Sequence, residues 1–281
     1  MPELPEAEVL RRELEREIVG KRVASVEVRT PGVVQPWHRT RPDFIKLLTD
    51  RRVGAVRRIG VRLLIDLDDD RSWLIDPGPS GSLHVEAPDA SVRAPTHAAV
   101  RFTAGGSLHL SDAGKPMCLR TGVLPTAEAE GEAEVAPGAI DLLADPPPWQ
   151  EFAHRLADPD EPLRVGLADA RRFVGLGDVS SDEILWEAGL RPDRVPSSLS
   201  AQEFRRLYRS AQEVLVAAMK ASGSVLDEVD PDSPLDEDGA PAGHLNVHGR
   251  EGMPCPRCRT PIVRTKLRRD AVAHHCPRCQ G

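Results

Sequence analysis

The chain opens Met1-Pro2-Glu3-Leu4-Pro5-Glu6. Removal of Met1, usual before a small second residue, would leave Pro2 as a terminal secondary amine with the carboxylates of Glu3 and Glu6 close by. An α-amino group titrates near ~8 and a lysine near ~10.4, so at neutral pH such a terminus offers far more free base than a lysine. That amine can attack an electrophilic carbon, and a carboxyl beside it can move the proton. On these six residues alone, the commoner reading is an idle, frayed terminus ahead of a helix.

A second group with chemistry lies at the other end. Cys255-Pro-Arg-Cys258 and Cys276-Pro-Arg-Cys279 are two C-x2-C pairs with seventeen residues between them. This is the spacing of a zinc ribbon on a β-hairpin, and four thiolates would close the tetrahedron, making one ion structural rather than catalytic. His274 and His275 abut the third cysteine as lesser ligand candidates. Cys118 reads as a small buried apolar residue.

Composition bounds the setting. With 281 residues, 40% hydrophobic and 29% charged, the chain is long enough for two domains and an appendage. No apolar run approaches the ~18 residues of a membrane span, and the start is acidic rather than signal-like, so a cytoplasmic, nucleoid-associated protein without membrane contact is expected. Paired cysteines in that compartment argue for metal over disulfides. The net charge of −7 is unevenly spread. Segments 127–138 and 223–242 hold four and seven acids with no Lys or Arg, and read as linkers. The tail 244–281 carries eight Lys and Arg against Glu251 and Asp270, the footprint that phosphate binding needs.

These residues must be positioned by ordered elements. From Pro5 to about Val19, Ala7, Leu10, Leu14 and Ile18 recur at helical spacing. Short β-type runs follow at 22–28, 53–59, 62–67, 72–75, 98–102 and 107–110, broken by Pro, Gly and Asp, which suggests a sandwich or barrel. The period then changes, with helices expected at 149–156, 163–173 and 181–188. Ser180 to Glu183 and Ser200 to Glu203 fit capping boxes. After the second, Phe204, Leu207, Tyr208, Ala211, Val214, Leu215 and Ala218 form a core-facing stripe. The Pro- and Gly-rich acidic stretch 223–243 reads as a mobile loop. The fold class is therefore α+β, with a catalytic β-sandwich over 1–136, a helical domain over 137–243 and a zinc finger over 244–281.

Together these pieces resemble the bacterial formamidopyrimidine-DNA glycosylase and endonuclease VIII family of base-excision repair enzymes. The likeness is carried by residues 2–6, by 78–83, by Val174-Gly175-Leu176-Gly177 with Ala188-Gly189-Leu190-Arg191-Pro192, and by Val247-His248-Gly249-Arg250 before the cysteines. It implies a β-sandwich, a helix–two-turn–helix domain and a zinc finger that clamp damaged or abasic DNA around a flipped nucleotide, acting as a monomer. By resemblance Pro2 forms a Schiff base at the sugar carbon, Glu3 assists as acid or base and Glu6 supports the site. The same likeness places Arg164, Gly175, Gly177, Asp178, Arg250, Arg268, Arg269 and Lys115 at the DNA.

The chain departs from the family pattern at several positions. Val61, expected on a strand, stands where the family has a phosphate-contacting lysine. Pro79 replaces a methionine, and Asp112-Ala113-Gly114-Lys115-Pro116-Met117 replaces a turn bearing Arg and Phe. That leaves Lys115 to reach a base, with Pro116 or Met117 as a wedge. Asp178 replaces an asparagine and reads first as a helix N-cap. Ala271 takes the place of a hairpin arginine whose role Arg268 or Arg269 would assume. The expected activity is thus a glycosylase with abasic-site lyase chemistry and an unusual or relaxed substrate base. A catalytically silent damaged-DNA clamp is the alternative, and a protein-binding zinc ribbon the third.

Overall fold

The computed structural model describes residues 2–35, 37–87, 95–134, 136–158, 160–227 and 245–281. The chain divides into two compact units, one of Met1–Pro2 with Glu6–Val135, the other of Glu3–Pro5 with Ala136–Gly281. Helix α1 (Leu4–Ile18) therefore starts in the second unit and continues in the first.

The first unit is a sandwich of two four-stranded antiparallel sheets. Strands β1 (Val23–Val28), β2 (Val53–Ile59), β3 (Arg62–Leu67), β4 (Arg71–Asp76), β5 (Gly81–Glu86), β6 (Thr96–Phe102), β7 (Ser107–Asp112) and β8 (Arg120–Pro125) order as β1-β6-β7-β5 and β2-β3-β4-β8. Leu63, Ile65, Trp73 and Ile75 from one sheet and Val100, Leu108 and Leu110 from the other share one core with Leu14 and Ile18 of α1. Helix α2 (Arg41–Leu48) closes an edge with Phe44 and Leu48, and Thr40 and Asp43 cap it reciprocally.

The expected linker at 127–138 is largely a helix, α3 (Thr126–Ala133). Its Ala129 and Ala133 pack on Leu64, Leu74 and Leu124, so β3 and β4 are buried on both faces. That explains why those strands read as nearly continuous apolar runs rather than alternating ones. The acids of α3 face basic or polar partners: Glu130 pairs with Arg57 at 2.7 Å, and Glu132 accepts the Trp37 indole N–H at 3.0 Å.

The second unit holds α4 (Trp149–Leu156), α5 (Leu163–Leu167), α6 (Asp178–Ala188), α7 (Ala201–Asp227) and the hairpin β9 (Val263–Lys266) and β10 (Val272–His275). Helix α5 stops far short of the expected 173, where Asp169 turns the chain by binding Arg171. The capping box predicted at Ser200 is present, Ser200 N–H reaching Glu203 at 2.8 Å. Leu207, Ala211 and Leu215 of α7 pack with Phe152, Phe173, Leu185 and Leu4. The helix runs into the stretch expected to be a loop from residue 223, and 228–243 of that stretch lie outside the described residues. No helix among the described residues is long and apolar enough to cross a membrane.

Candidate active site and metal centre

A helix begins with backbone N–H groups that lack intrahelical partners. At α6 that deficit is met by Glu3, whose two carboxylate oxygens accept the N–H groups of Val179 and Ser180, each at 2.9 Å. The next residue, Leu4, donates its own N–H to the Gly175 carbonyl at 2.8 Å. Glu3 is 7% exposed, so its charge is compensated by the positive end of α6 rather than by water. Pro2 is the residue immediately before this anchor. Glu6 follows in the first turn of α1 and is exposed.

The glycines of the 174–178 turn now have a physical reason. Gly175 adopts φ +65°, a conformation that disfavours side chains, while a Cβ on Gly177 would lie 2.3 Å from a Glu3 carboxylate oxygen. Both were expected at DNA; their partners within this unit are Leu4 and Glu3. Asp178 is not the N-cap that its position suggested. Gly177 occupies that place, and Asp178 is the first helical residue, pairing with Arg164 at 2.7 Å.

Arg164, expected at DNA, is instead a buried hub with 1% side-chain exposure. Its Nε binds Asp182 at 2.6 Å and its terminal nitrogen reaches Asp178 and the Val272 carbonyl, leaving little of the guanidinium to offer a phosphate. Asp182 also binds His248 Nδ1 at 2.8 Å and His274 Nδ1 at 3.3 Å. Burial works against the Asp182 carboxylate, yet the two imidazoles and Arg164 outweigh it and hold its pKa at about 2. Burial likewise opposes charge on His248, but the Asp182 contact wins and raises its pKa. Although Asp182, His248 and His274 lie within metal-ligand reach of one another, Arg164 already neutralises that carboxylate.

The adjacent Glu183 was expected to complete a capping box with Ser180. Its carboxylate instead accepts the N–H groups of Asn246, Val247 and His248 at 2.8 to 3.0 Å, fixing the start of the C-terminal segment on α6. Sequence reasoning missed both acids as organisers. The available signal was two consecutive carboxylates directly before the apolar run Ile184-Leu185-Trp186, where burial demands partners.

The four cysteines converge as predicted. Sγ atoms of Cys255 and Cys279 are 3.9 Å apart, those of Cys258 and Cys276 3.4 Å, and all four lie within 4.8 Å of one another. The edge of a tetrahedron with ~2.3 Å metal–sulfur bonds is of this size, so the set fits a metal ion. Burial opposes the Cys255 thiolate, but donors including the backbone N–H groups of Cys258 and Arg257 hold its pKa below the usual value. Contacts from the Thr260 hydroxyl and N–H draw Cys258 down to about 6, while burial and the neighbouring sulfurs push Cys279 up to about 12. Four thiols thus compete for ionisation where one cation would release them all. His274 and His275 stand outside this set. Arg257 lies 3.8 Å over Trp186 and pairs with Glu187, locking the metal module to α6.

The remaining sequence candidates are scattered. Val61 sits in the turn after Gly60 rather than on a strand, and Arg62 is tied to Asp76 at 2.5 Å. Lys115 is exposed on the loop after β7, a loop shaped by Asp112, which accepts Ser80 Oγ and the N–H groups of Gly114, Cys118 and Leu119. Burial raises the Asp112 pKa, but these donors prevail and bring it to about 2. Met117 is partly buried and packs on the sandwich core. Cys118, expected to be buried, is half exposed. Arg250 binds the Leu245 carbonyl at 2.8 Å, and Ala271 ends the turn containing Arg268 and Arg269.

Comparison with known proteins agrees with this geometry. Residues 1–117 match the formamidopyrimidine-DNA glycosylase N-terminal domain and residues 139–229 its H2TH domain. The chain is 33% identical over 287 residues to the formamidopyrimidine-DNA glycosylase of Thioalkalivibrio sulfidiphilus, spanning all of both chains. It is 32% identical to that of a Nocardioides species, covering 100% of this chain and 94% of the relative. Among solved structures, Lactococcus lactis Fpg in complex with DNA containing an abasic site superposes with a TM-score of 0.83 at 25% identity, covering 99% of each chain. The same protein bound to DNA carrying N7-benzyl-Fapy-dG also gives 0.83 at 25% identity. The chain belongs to the formamidopyrimidine-DNA glycosylase family.

Proposed function

We propose that the protein is a base-excision repair DNA glycosylase with abasic-site lyase activity, using Pro2 of the mature chain as nucleophile. The observation that carries this is the two-point seat of Glu3 on α6, directly after Pro2, which fixes the backbone from which the amine projects. The neutral amine forms a bond to the sugar C1′ and passes its N–H proton to the Glu3 carboxylate, as the base departs with the bonding electrons and takes a proton from water. Glu3 delivers a proton to the ring oxygen as the sugar opens, leaving a cationic iminium. Loss of a C2′ proton then expels the 3′ phosphate and cuts the strand. Holding nucleophile and proton donor on adjacent residues supplies orientation that free solutes lack. Glu6 supports the charge balance around the amine.

The partner is damaged or abasic DNA, bound by a monomer in the cytoplasm at the nucleoid. Zinc in the four-cysteine site is structural and takes no part in bond making. Gly175, Gly177 and Asp178 act at DNA through the backbone they shape, and Lys115, Arg250, Arg268 and Arg269 supply charge. Pro79 and the 112–117 loop, lacking the family's Met, Arg and Phe, favour a relaxed or unusual substrate base. Borohydride trapping on abasic-site duplex tests the chemistry: mature wild type gives a covalent complex and Pro2→Gly gives none. Absence of a trapped complex with wild type overturns the assignment.

A further inference from the structure

The basic C-terminal segment ends its hairpin in two adjacent guanidinium groups, and both are already engaged. Arg268 donates to the Asp160 carbonyl at 3.1 Å, and Arg269 pairs with Glu161 at 2.9 Å. A cavity of about 240 Å³ separates the hairpin tip from this acidic turn, with Asp158, Asp160 and Glu161 on one side and the two arginines on the other.

The Arg269–Glu161 pair is unequal. Glu161 is 6% exposed and is held from behind by Arg172 at 2.6 Å, which Asp158 contacts in turn at 3.3 Å. Arg269 is 65% exposed, on a turn held by Leu267 N–H to the Ala271 carbonyl, by Lys266 with Asp270 at 2.6 Å and by Arg268 on the Asp160 carbonyl, none of which uses the Arg269 side chain. The acid is therefore anchored and the base is able to leave. Glu161 keeps a counter-charge after Arg269 departs, so release does not strand a buried carboxylate, which would be costly.

We infer that Glu161 parks Arg269 in the unbound protein and competes with a DNA phosphate for it, so that binding exchanges one carboxylate for one phosphate. The inference rests on the DNA-binding reading above. Because the arginine of the pair is largely exposed and Glu161 keeps Arg172, the contact contributes little by itself, so the exchange is near balance and sets affinity rather than blocking binding. Glu161 is thus a positioning residue acting through Arg269, and it limits retention of the duplex.

The test is a double-mutant cycle on the full-length, zinc-loaded protein, with Kd for a duplex containing a tetrahydrofuran abasic analogue read by fluorescence anisotropy at fixed salt. Glu161→Gln is expected to tighten binding about two- to fivefold, Arg269→Ala to weaken it, and the double variant to match Arg269→Ala alone. Glu161→Asp retains the counter-charge for Arg172 while withdrawing it from Arg269 by one methylene; it moves affinity in the same direction and covers the case in which Gln loosens the turn. Unchanged or weaker binding by both Glu161 variants, or a gain that persists without Arg269, overturns the inference. Failure of wild type itself to bind the duplex at low salt instead removes the DNA-binding reading and this inference with it.

Discussion

The Ser180 N–H donates to the Glu3 carboxylate at 2.9 Å across 177 positions of sequence. One residue thereby performs two tasks, terminating a helix that is distant in the chain and fixing the backbone next to Pro2. A helix start is usually satisfied by its own N-cap side chain, but Gly177 has none to offer.

Glu3→Gln should lower stability by roughly 1 to 2 kcal/mol, because one of two buried N–H groups loses its charged acceptor. Urea unfolding would show a lower midpoint with an unchanged m-value. Glu3→Ala should lower it further. A wild-type midpoint in both variants would disprove the capping role.

Gly177→Ala places a Cβ 2.3 Å from Glu3 Oε1, so the carboxylate must move. Single-turnover cleavage of abasic-site duplex should fall by at least about tenfold, since small misplacements of reacting groups are expensive. Metal content should stay at the wild-type level. Full activity would mean that Glu3 need not hold its observed place.

Removing the metal, or substituting Cys255→Ser, should unfold the segment around β9 and β10, because metal binding supplies folding energy to so small a module. Hydrogen exchange would show lost protection in residues 252–281, with the sandwich of the first unit still protected. Retained protection after exhaustive chelation would argue against a structural metal.

The Asp182 network predicts a pH optimum for stability of the second unit. The Asp182 pKa is depressed from 3.8 to about 2, so its contribution is present above the ordinary value and is lost as pH falls through about 2. The His248 pKa is raised above 6.5, so its contribution is full below 6.5 and is lost as pH rises through the raised value. Melting temperature should peak between these limits, and His248→Gln should flatten the alkaline side. Asp182→Ala should cost roughly 1.5 to 3 kcal/mol, since it removes the buried one of two carboxylates on Arg164 and leaves only the exposed Asp178. An alkaline limb unchanged by His248→Gln would exclude the assignment.

Two similar strings show what was legible beforehand. Ser200 to Glu203 closes a capping box, because Ser200 lies at the actual start of α7 and both partners are local. Ser180 to Glu183 has the same pattern, yet α6 starts earlier and Glu183 is spent on residues 246–248. The acids of α3 were read as a linker for a related reason. Their helix is stabilised by packing of Ala129 and Ala133 on a sheet that is distant in sequence.

The sequence by itself determined six of the eight sandwich strands, missing β5 and β8, together with the long α7 stripe, the paired cysteines and the family motif beginning at Pro2. Each depends on neighbours within a few residues, whose spacing sets which side chains share a face or a ligand set. Only the tertiary structure decided how the charges are used: Glu3 on α6, Arg164 buried with Asp178 and Asp182, and Arg269 parked on Glu161. Those partners lie far apart along the chain, and a buried charge takes whichever counter-group the closed fold brings within hydrogen-bond reach.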